Sequence, residues 1–416
     1  MNKKIGNIFK GDKVIWMVFL FLCLISIVEV FSASSTLTYQ SQNYMRPLFK
    51  HIGMIVLGLI VAIATLNVPC KYFKVATPLM LAISFFTLIW VLVWGQSING
   101  ANRVIAIAGF TFQPSEIAKG TLVLATAQIL SAMQRSDGSG ADPKAMKYIL
   151  LLVVPAFLLI GKENLSTAVL LFSVIYLMMF LGRVPMIQMG KLTGVLAIIA
   201  TLFLGLVFYL AKLDKEGQAI DSGQRVEMVA KAKTEKTAWD KLTHRFWTWK
   251  NRLTKKNDKN VPAKDYVVTD DNFQVTHANI AIASSGIIGK GPGNSVERDF
   301  LPQAYSDFNY AIIIEEMGIL GALGVVFLYV VLLFRCARIA GRCENNFPAF
   351  LVLGLALMLV IQAVINMMVA CDFGIVTGQP LPLVSRGGTS TVINCAYIGA
   401  ILSVSRSAKR VELTKA

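Results

Sequence analysis

Residues 286–318 read GIIGKGPGNSVERDFLPQAYSDFNYAIIIEEMG, a glycine-rich polar run that leads into Asp307 just before an apolar helix begins. A carboxylate at such a boundary is partly desolvated, which favours proton uptake, so Asp307 is a candidate general base. A plain helix cap is the other reading. Glu315 and Glu316 follow inside the apolar run. Two adjacent carboxylates in a span are costly, so at least one must face protein, water or a cation. The stretch Gly289-Lys290-Gly291-Pro292-Gly293 is a weak nucleotide-loop signal, because it follows no strand and contains proline. It suits a backbone that approaches a ligand closely.

Three other polar stretches interrupt apolar sequence. In NGANRVIAIAGFTFQPSEIAK, residues 99–119, a re-entrant or interfacial loop ends in a helix start at Pro114. Glu116 and Lys119, three apart, share a helix face and can pair. Arg103, with no evident local partner, suits a phosphate or diphosphate contact. The turn GKENLST, residues 161–167, puts Lys162, Glu163 and Asn164 at a rim, as a solvated turn or a substrate contact. Residues 362–390 place Gln362 and Asn366 four apart on a helix and then read TGQPLPLVSRGGTS. Broken backbone at membrane depth is tolerated only against protein or a watery cavity, so this is either the cavity's other wall or a packed turn. Glu29, towards the end of the first apolar run, reads as hydrated, and His277 as a packed loop histidine.

The elements that must hold these residues are membrane helices. The chain has 416 residues, 55% of them hydrophobic and only 15% charged, with a mean hydropathy of +0.61. Soluble chains carry about 25% charged residues. Apolar windows give about ten spans: 14–33, 51–68, 75–94, 114–133, 147–161, 165–181, 192–211, 308–334, 348–370 and 391–405. Lipid demands internally bonded backbone, so these are helices rather than open strands. The expected architecture is all-α: one transmembrane domain over 1–416, with a large extracytoplasmic loop, 212–307, between helices 7 and 8. Within that loop, residues 224–256 space Trp239, Leu242, Phe246, Trp249 and Leu253 as an interfacial or surface-packed amphipathic helix.

The net charge of +16 lies largely in loops. Short loops with Lys71 and Lys74, Lys144 and Lys147, and Arg335, Arg338 and Arg342 belong inside, which makes both termini cytoplasmic. The same distribution argues for anionic lipid over nucleic acid as the partner of the charge. The first apolar run is longer than a signal peptide's and reads as an uncleaved span. The six cysteines show neither metal spacing nor a disulfide framework, and three histidines offer no zinc cluster.

The order QPSE, then LPQAYSDF with EE and G, then TGQPLPLVSRGGTS resembles the SEDS family (shape, elongation, division and sporulation) over most spans. Asn294-Ser295 and the SRGGTS ending are nearer to its division-type members than to its elongation-type members. The resemblance implies ten transmembrane helices and a glycosyltransferase that polymerises lipid II at the outer face of the cytoplasmic membrane. It implies a class B penicillin-binding protein and other divisome membrane proteins as partners, at the septum. Carried over residue by residue, it makes Asp307 the catalytic base. Lys50, Arg103, Glu116, Lys119, Asn164, Gln274, Ser295, Gln379 and Ser385 become substrate-binding candidates. No fixed metal site is expected, although Mg or Mn could help neutralise diphosphate. Asn164 stands where the family often has Asp, Tyr305 where it has His, and Arg386 where it commonly has Tyr. A lipid II flippase using the intramembrane acids, or an inactive divisome scaffold, are the rival expectations.

Overall fold

The computed structural model describes residues 10–33, 45–98, 101–107, 110–221, 268, 272–301, 304–374 and 376–408. The helices are α1 Lys13–Ala33, α2 Met45–Asn67, α3 Cys70–Trp94, α4 Pro114–Ala132, α5 Lys144–Glu163 and α6 Leu165–Leu181. They continue with α7 Met186–Asp221, α8 Phe273–Ala283, α9 Asn309–Ala340, α10 Asn346–Ala370 and α11 Thr389–Ser407. Seven of these are long and apolar enough to cross a membrane, and α6 is a shorter apolar helix. Helices α4 and α11 carry more polar residues, with Glu116, Lys119, Thr121, Thr391 and Asn394 buried. Membrane helices tolerate such groups only where they face protein.

Two compact units divide the chain: residues 1–185 with 273–416, and residues 186–272. The second contains α7, whose 36 residues make a rod of about 54 Å. That exceeds the roughly 30 Å hydrocarbon layer, so the helix runs past the expected limits 192–211. Within the first unit, α2 packs along α11, α9 along α10, and α4 against α3 and α10. The α2–α11 contact is close because Gly399 lies on the α2 backbone, where a Cβ would come within 2.9 Å of Thr65.

Local signals explain the boundaries. Asp12 caps α1, its Oδ1 accepting from the N–H of Val14 at 2.9 Å, while its Oδ2 pairs with Arg335 at 2.7 Å. Pro114 opens α4. Asn164 closes α5 and caps α6 by accepting from the N–H of Thr167 at 3.2 Å.

Three departures from expectation matter. First, the stretch expected as a re-entrant loop contains strands β1 Gln96–Ile98, β2 Ala101–Ile107 and β3 Phe110–Phe112, paired antiparallel in that order. Its short alternating runs satisfy their backbone in hairpins. Second, the expected loop 212–307 begins with the end of α7 and later holds α8 and a 3₁₀ turn, Glu297–Asp299. His277 in α8 bonds the Glu297 carboxylate at 2.5 Å and stacks on Phe300. The expected amphipathic helix over 224–256 lies outside the described residues. Third, Glu29 is fully buried rather than hydrated, because α1 packs against α9 and the 3₁₀ turn. Among the described residues neither of its oxygens has a hydrogen-bond partner.

Helix α9 is two helices joined by a break at Gly318, whose φ of 69° and ψ of −173° suit essentially only glycine. The glycine-rich loop bridges the break. Lys290 and Gly291 donate their N–H groups to the carbonyls of Glu315 and Glu316 at 2.9 and 2.8 Å. The carbonyls of Gly286 and Ile287 accept from Ile319 and Leu320 beyond it. Four backbone groups beside the kink, two carbonyls before it and two N–H groups after it, are thus satisfied. A Cβ at Gly318 would also press on the Ile287–Gly289 backbone. Gly318→Ala is therefore expected to cost about 1–3 kcal/mol of strain or more, read as a lowered unfolding temperature in detergent. Unchanged stability would contradict this description of the break.

Candidate active site

The site is assembled from two loops. The first, residues 286–301, is fixed by the acid pair. Glu315 Oε1 accepts from Lys290 Nζ at 2.6 Å and the Val296 N–H at 3.1 Å. Its Oε2 accepts from Ser295 Oγ at 2.5 Å and the Glu297 N–H at 3.3 Å. Glu316 accepts from the N–H groups of Gly293 at 3.0 Å and Ser295 at 3.2 Å, and from Ser32 Oγ. Arg298 donates to Ser32 Oγ at 2.8 Å and lies 3.9 Å from the Glu316 carboxylate. Both carboxylates are wholly buried, yet each is surrounded by donors, which is what makes burial affordable. The acids expected within a span thus sit ahead of the Gly318 break and staple the loop.

The second loop, residues 376–388, is gripped directly from four helices. Gln362 of α10 donates to the Pro380 carbonyl at 3.0 Å, and Asn366, one turn on, to that of Gln379 at 2.8 Å. Gln379 donates to Thr167 Oγ1 of α6 at 2.8 Å. From α1, Ser26 reaches the Val384 carbonyl at 2.6 Å while bonding His51 of α2 at 2.8 Å. From α9, Tyr329 bonds the Pro382 carbonyl.

Asp307 lies where this loop meets the start of α9. Ser385 Oγ donates to the Ser306 carbonyl at 2.7 Å, and the Arg386 N–H to that of Tyr305 at 2.9 Å. Asn366 Nδ2, besides holding Gln379, donates to the Asp307 carbonyl at 2.9 Å. The backbone on both sides of the aspartate is therefore fixed. Its carboxylate is half-buried, accepts from Ser306 Oγ at 3.0 Å, and lies 3.6 Å from where a Cβ on Gly378 would be. Gly378, at φ 66°, leaves that space open. The cap of α9 is Phe308, without a side-chain cap bond. A carboxylate held by its backbone in a half-buried recess can accept a proton from a bound hydroxyl.

The other candidates distribute unevenly. Gln379 and Ser385 belong to the second loop. Lys119, fully buried, pairs with Glu116 at 2.8 Å and donates to Gln362 at 2.8 Å. Glu116 also accepts from Ser390 at 3.1 Å, so the pair braces the loop through α10 and α11. Asn164 connects through Thr167 to Gln379, and lines a small open crevice with Gln113, Ser115 and Glu163. Ser295 belongs to the acid-pair loop. Lys50 is exposed on α2, and Gln274 is half-buried on α8. Arg103 lies on β2. Sequence reasoning passed over Thr167, Ser26 and Tyr329, whose bonds to the second loop reach across more than fifty residues; only the four-residue spacing of Gln362 and Asn366 was a readable sign. Among the described residues no group of three or more His, Cys, Asp or Glu could hold a metal ion.

A family profile described as Cell cycle protein (FtsW, RodA, SpoVE) matches residues 12–410. The chain belongs to the FtsW/RodA/SpoVE family. This member of the SEDS group is 28% identical to a protein of Saccharophagus degradans named "Probable peptidoglycan glycosyltransferase FtsW", over 93% of this chain and 91% of that one. It is 25% identical to the "Peptidoglycan glycosyltransferase MrdB" of Escherichia coli K12, over 94% and 93%. Among solved structures it matches a chain described under "Structural coordination of polymerization and crosslinking by a peptidoglycan synthase complex". There the TM-score is 0.69, at 21% identity, over 96% of this chain and 98% of that one. The rod shape determining protein RodA of Thermus thermophilus matches with TM-score 0.63, at 21% identity, over 97% and 99%. The fold is that of these multi-pass helical membrane proteins.

Removing one member of the acid pair strands several donors in the interior. Glu315→Ala is expected to destabilise the protein by about 3–5 kcal/mol, seen as a fall in unfolding temperature and in monodisperse yield. Wild-type stability in that variant would show that the pair does not hold the loop.

Proposed function

We propose that this FtsW/RodA/SpoVE member is a peptidoglycan glycosyltransferase that polymerises lipid II into glycan strands at the outer face of the cytoplasmic membrane. The observation that carries the reading is the placement of Asp307: a half-buried carboxylate with its backbone tied on both sides and the side-chain-free Gly378 against it. The names of the full-length relatives support it.

In the reaction, Asp307 takes the proton of the acceptor's N-acetylglucosamine 4-hydroxyl. That oxygen bonds C1 of the donor's N-acetylmuramic acid with inversion. The C1–oxygen bond to undecaprenyl diphosphate breaks, and the electron pair leaves with the diphosphate. Diphosphate is a good leaving group, so one base suffices, unlike the carboxylate pair of glycoside hydrolysis. Arg103 and Lys50 neutralise diphosphate charge. Glu116 and Lys119 act by holding α10 and α11 around the second loop.

The role is septal synthesis during division, with both termini cytoplasmic and a class B penicillin-binding protein alongside. Asn294-Ser295 and SRGGTS support it. A RodA-like elongation role is the second reading, favoured by the match to MrdB along nearly the whole chain. The flippase reading is weakened because Glu315 and Glu316 are occupied in holding a loop.

The test is polymerisation of labelled lipid II by purified protein with its cognate class B penicillin-binding protein. Long glycan strands are expected. No glycan, together with transfer of lipid II across vesicle bilayers, would replace the polymerase by a transporter.

A further inference from the structure

We propose that Arg386 binds the diphosphate of the lipid-linked donor beside Asp307. The inference rests on the polymerase reading and names a subsite of the same site. Its first support is position. The Arg386 N–H is bonded to the Tyr305 carbonyl at 2.9 Å, and its neighbour Ser385 to Ser306 at 2.7 Å. The backbone of Arg386 is thus registered against the two residues that precede the base. Its second support is an incomplete environment. The guanidinium is half-buried and lies over the Tyr305 ring at 5.3 Å. Among the described residues no carboxylate forms an ion pair with it. Burial lowers its pKa from the usual arginine value, with Tyr305 opposing.

A half-buried cation held by one aromatic face is only partly compensated. An anion at its open edge completes the arrangement. A guanidinium fork matches phosphate oxygens in a bidentate way that an ammonium cannot. Arg386 also lies within electrostatic reach of His51 on α2. During transfer, the diphosphate gains the electron pair of the broken C1–oxygen bond, and Arg386 neutralises that charge while Asp307 holds the proton.

The experiment measures glycan polymerisation kinetics, inhibition by undecaprenyl diphosphate, and unfolding temperature for wild type, Arg386→Gln and Arg386→Lys. Arg386→Gln is expected to raise both KM for lipid II and the inhibition constant of undecaprenyl diphosphate about tenfold or more, the loss of one charged contact. Its unfolding temperature should stay at the wild-type value, and Arg386→Lys should recover part of the binding. Inorganic pyrophosphate should compete weakly and phosphatidylglycerol vesicles not at all. Unchanged KM and inhibition in Arg386→Gln would overturn the inference, and equal competition by phosphatidylglycerol would reassign the site to a lipid headgroup. If wild type makes no glycan yet binds undecaprenyl diphosphate in an Arg386-dependent way, the polymerase reading fails and the anion site stands.

Discussion

Glu315 and Glu316 sit side by side, without solvent contact, and accept hydrogen bonds from four backbone N–H groups, two serine hydroxyls and a lysine. A buried carboxylate is tolerable only when donors replace its lost hydration, and the loop from Lys290 to Glu297 supplies all of them but Ser32 of α1. The exchange works in both directions. The loop has little apolar area with which to fold by itself, and the acids fix its path. Its backbone in turn covers the break at Gly318, where α9 could not otherwise satisfy its carbonyls. The short helix that ends at the break begins just after Asp307, so the aspartate inherits its position from this exchange.

The second determinant is the loop at residues 376–388, which has no regular structure and is held by polar side chains on α1, α4, α6, α9 and α10, that of α4 acting through Gln362. Those side chains are buried. The Lys119–Glu116 pair belongs to this scaffold: its ammonium reaches Gln362, which reaches Pro380. Asn366 closes the assembly by bonding one carbonyl from each side, Asp307 and Gln379. Charged and amide groups buried in membrane helices are here spent on geometry. Asp307 and Arg386, by contrast, are only half-buried.

The helices were legible in the sequence because the thickness of the hydrocarbon layer sets their length. The expected span 165–181 coincides with α6, and 348–370 starts two residues inside α10. Asp307 was legible as a candidate from its place between a glycine loop and an apolar helix. The roles of Glu315 and Glu316 were not, because hydropathy counts them as intramembrane charge and cannot see Gly318 break the helix. The strands at 96–112 were hidden by their brevity. The bracing of the second loop was hidden for another reason: Lys119 and Gln362 are 243 residues apart, and helix periodicity says nothing about partners at that distance. The aspartate's surroundings follow from such pairings, so the residue could be picked out but its tethers could not.

The most direct test of the central claim is the amount of glycan made from lipid II by Asp307→Asn, measured beside wild type with the unfolding temperature of each. The isosteric change removes the proton acceptor and leaves the carbonyl tether to Asn366 in place. The account predicts a loss of about 10²- to 10⁴-fold, the usual contribution of a general base, at unchanged stability. Glycan synthesis at the wild-type rate by Asp307→Asn would contradict it.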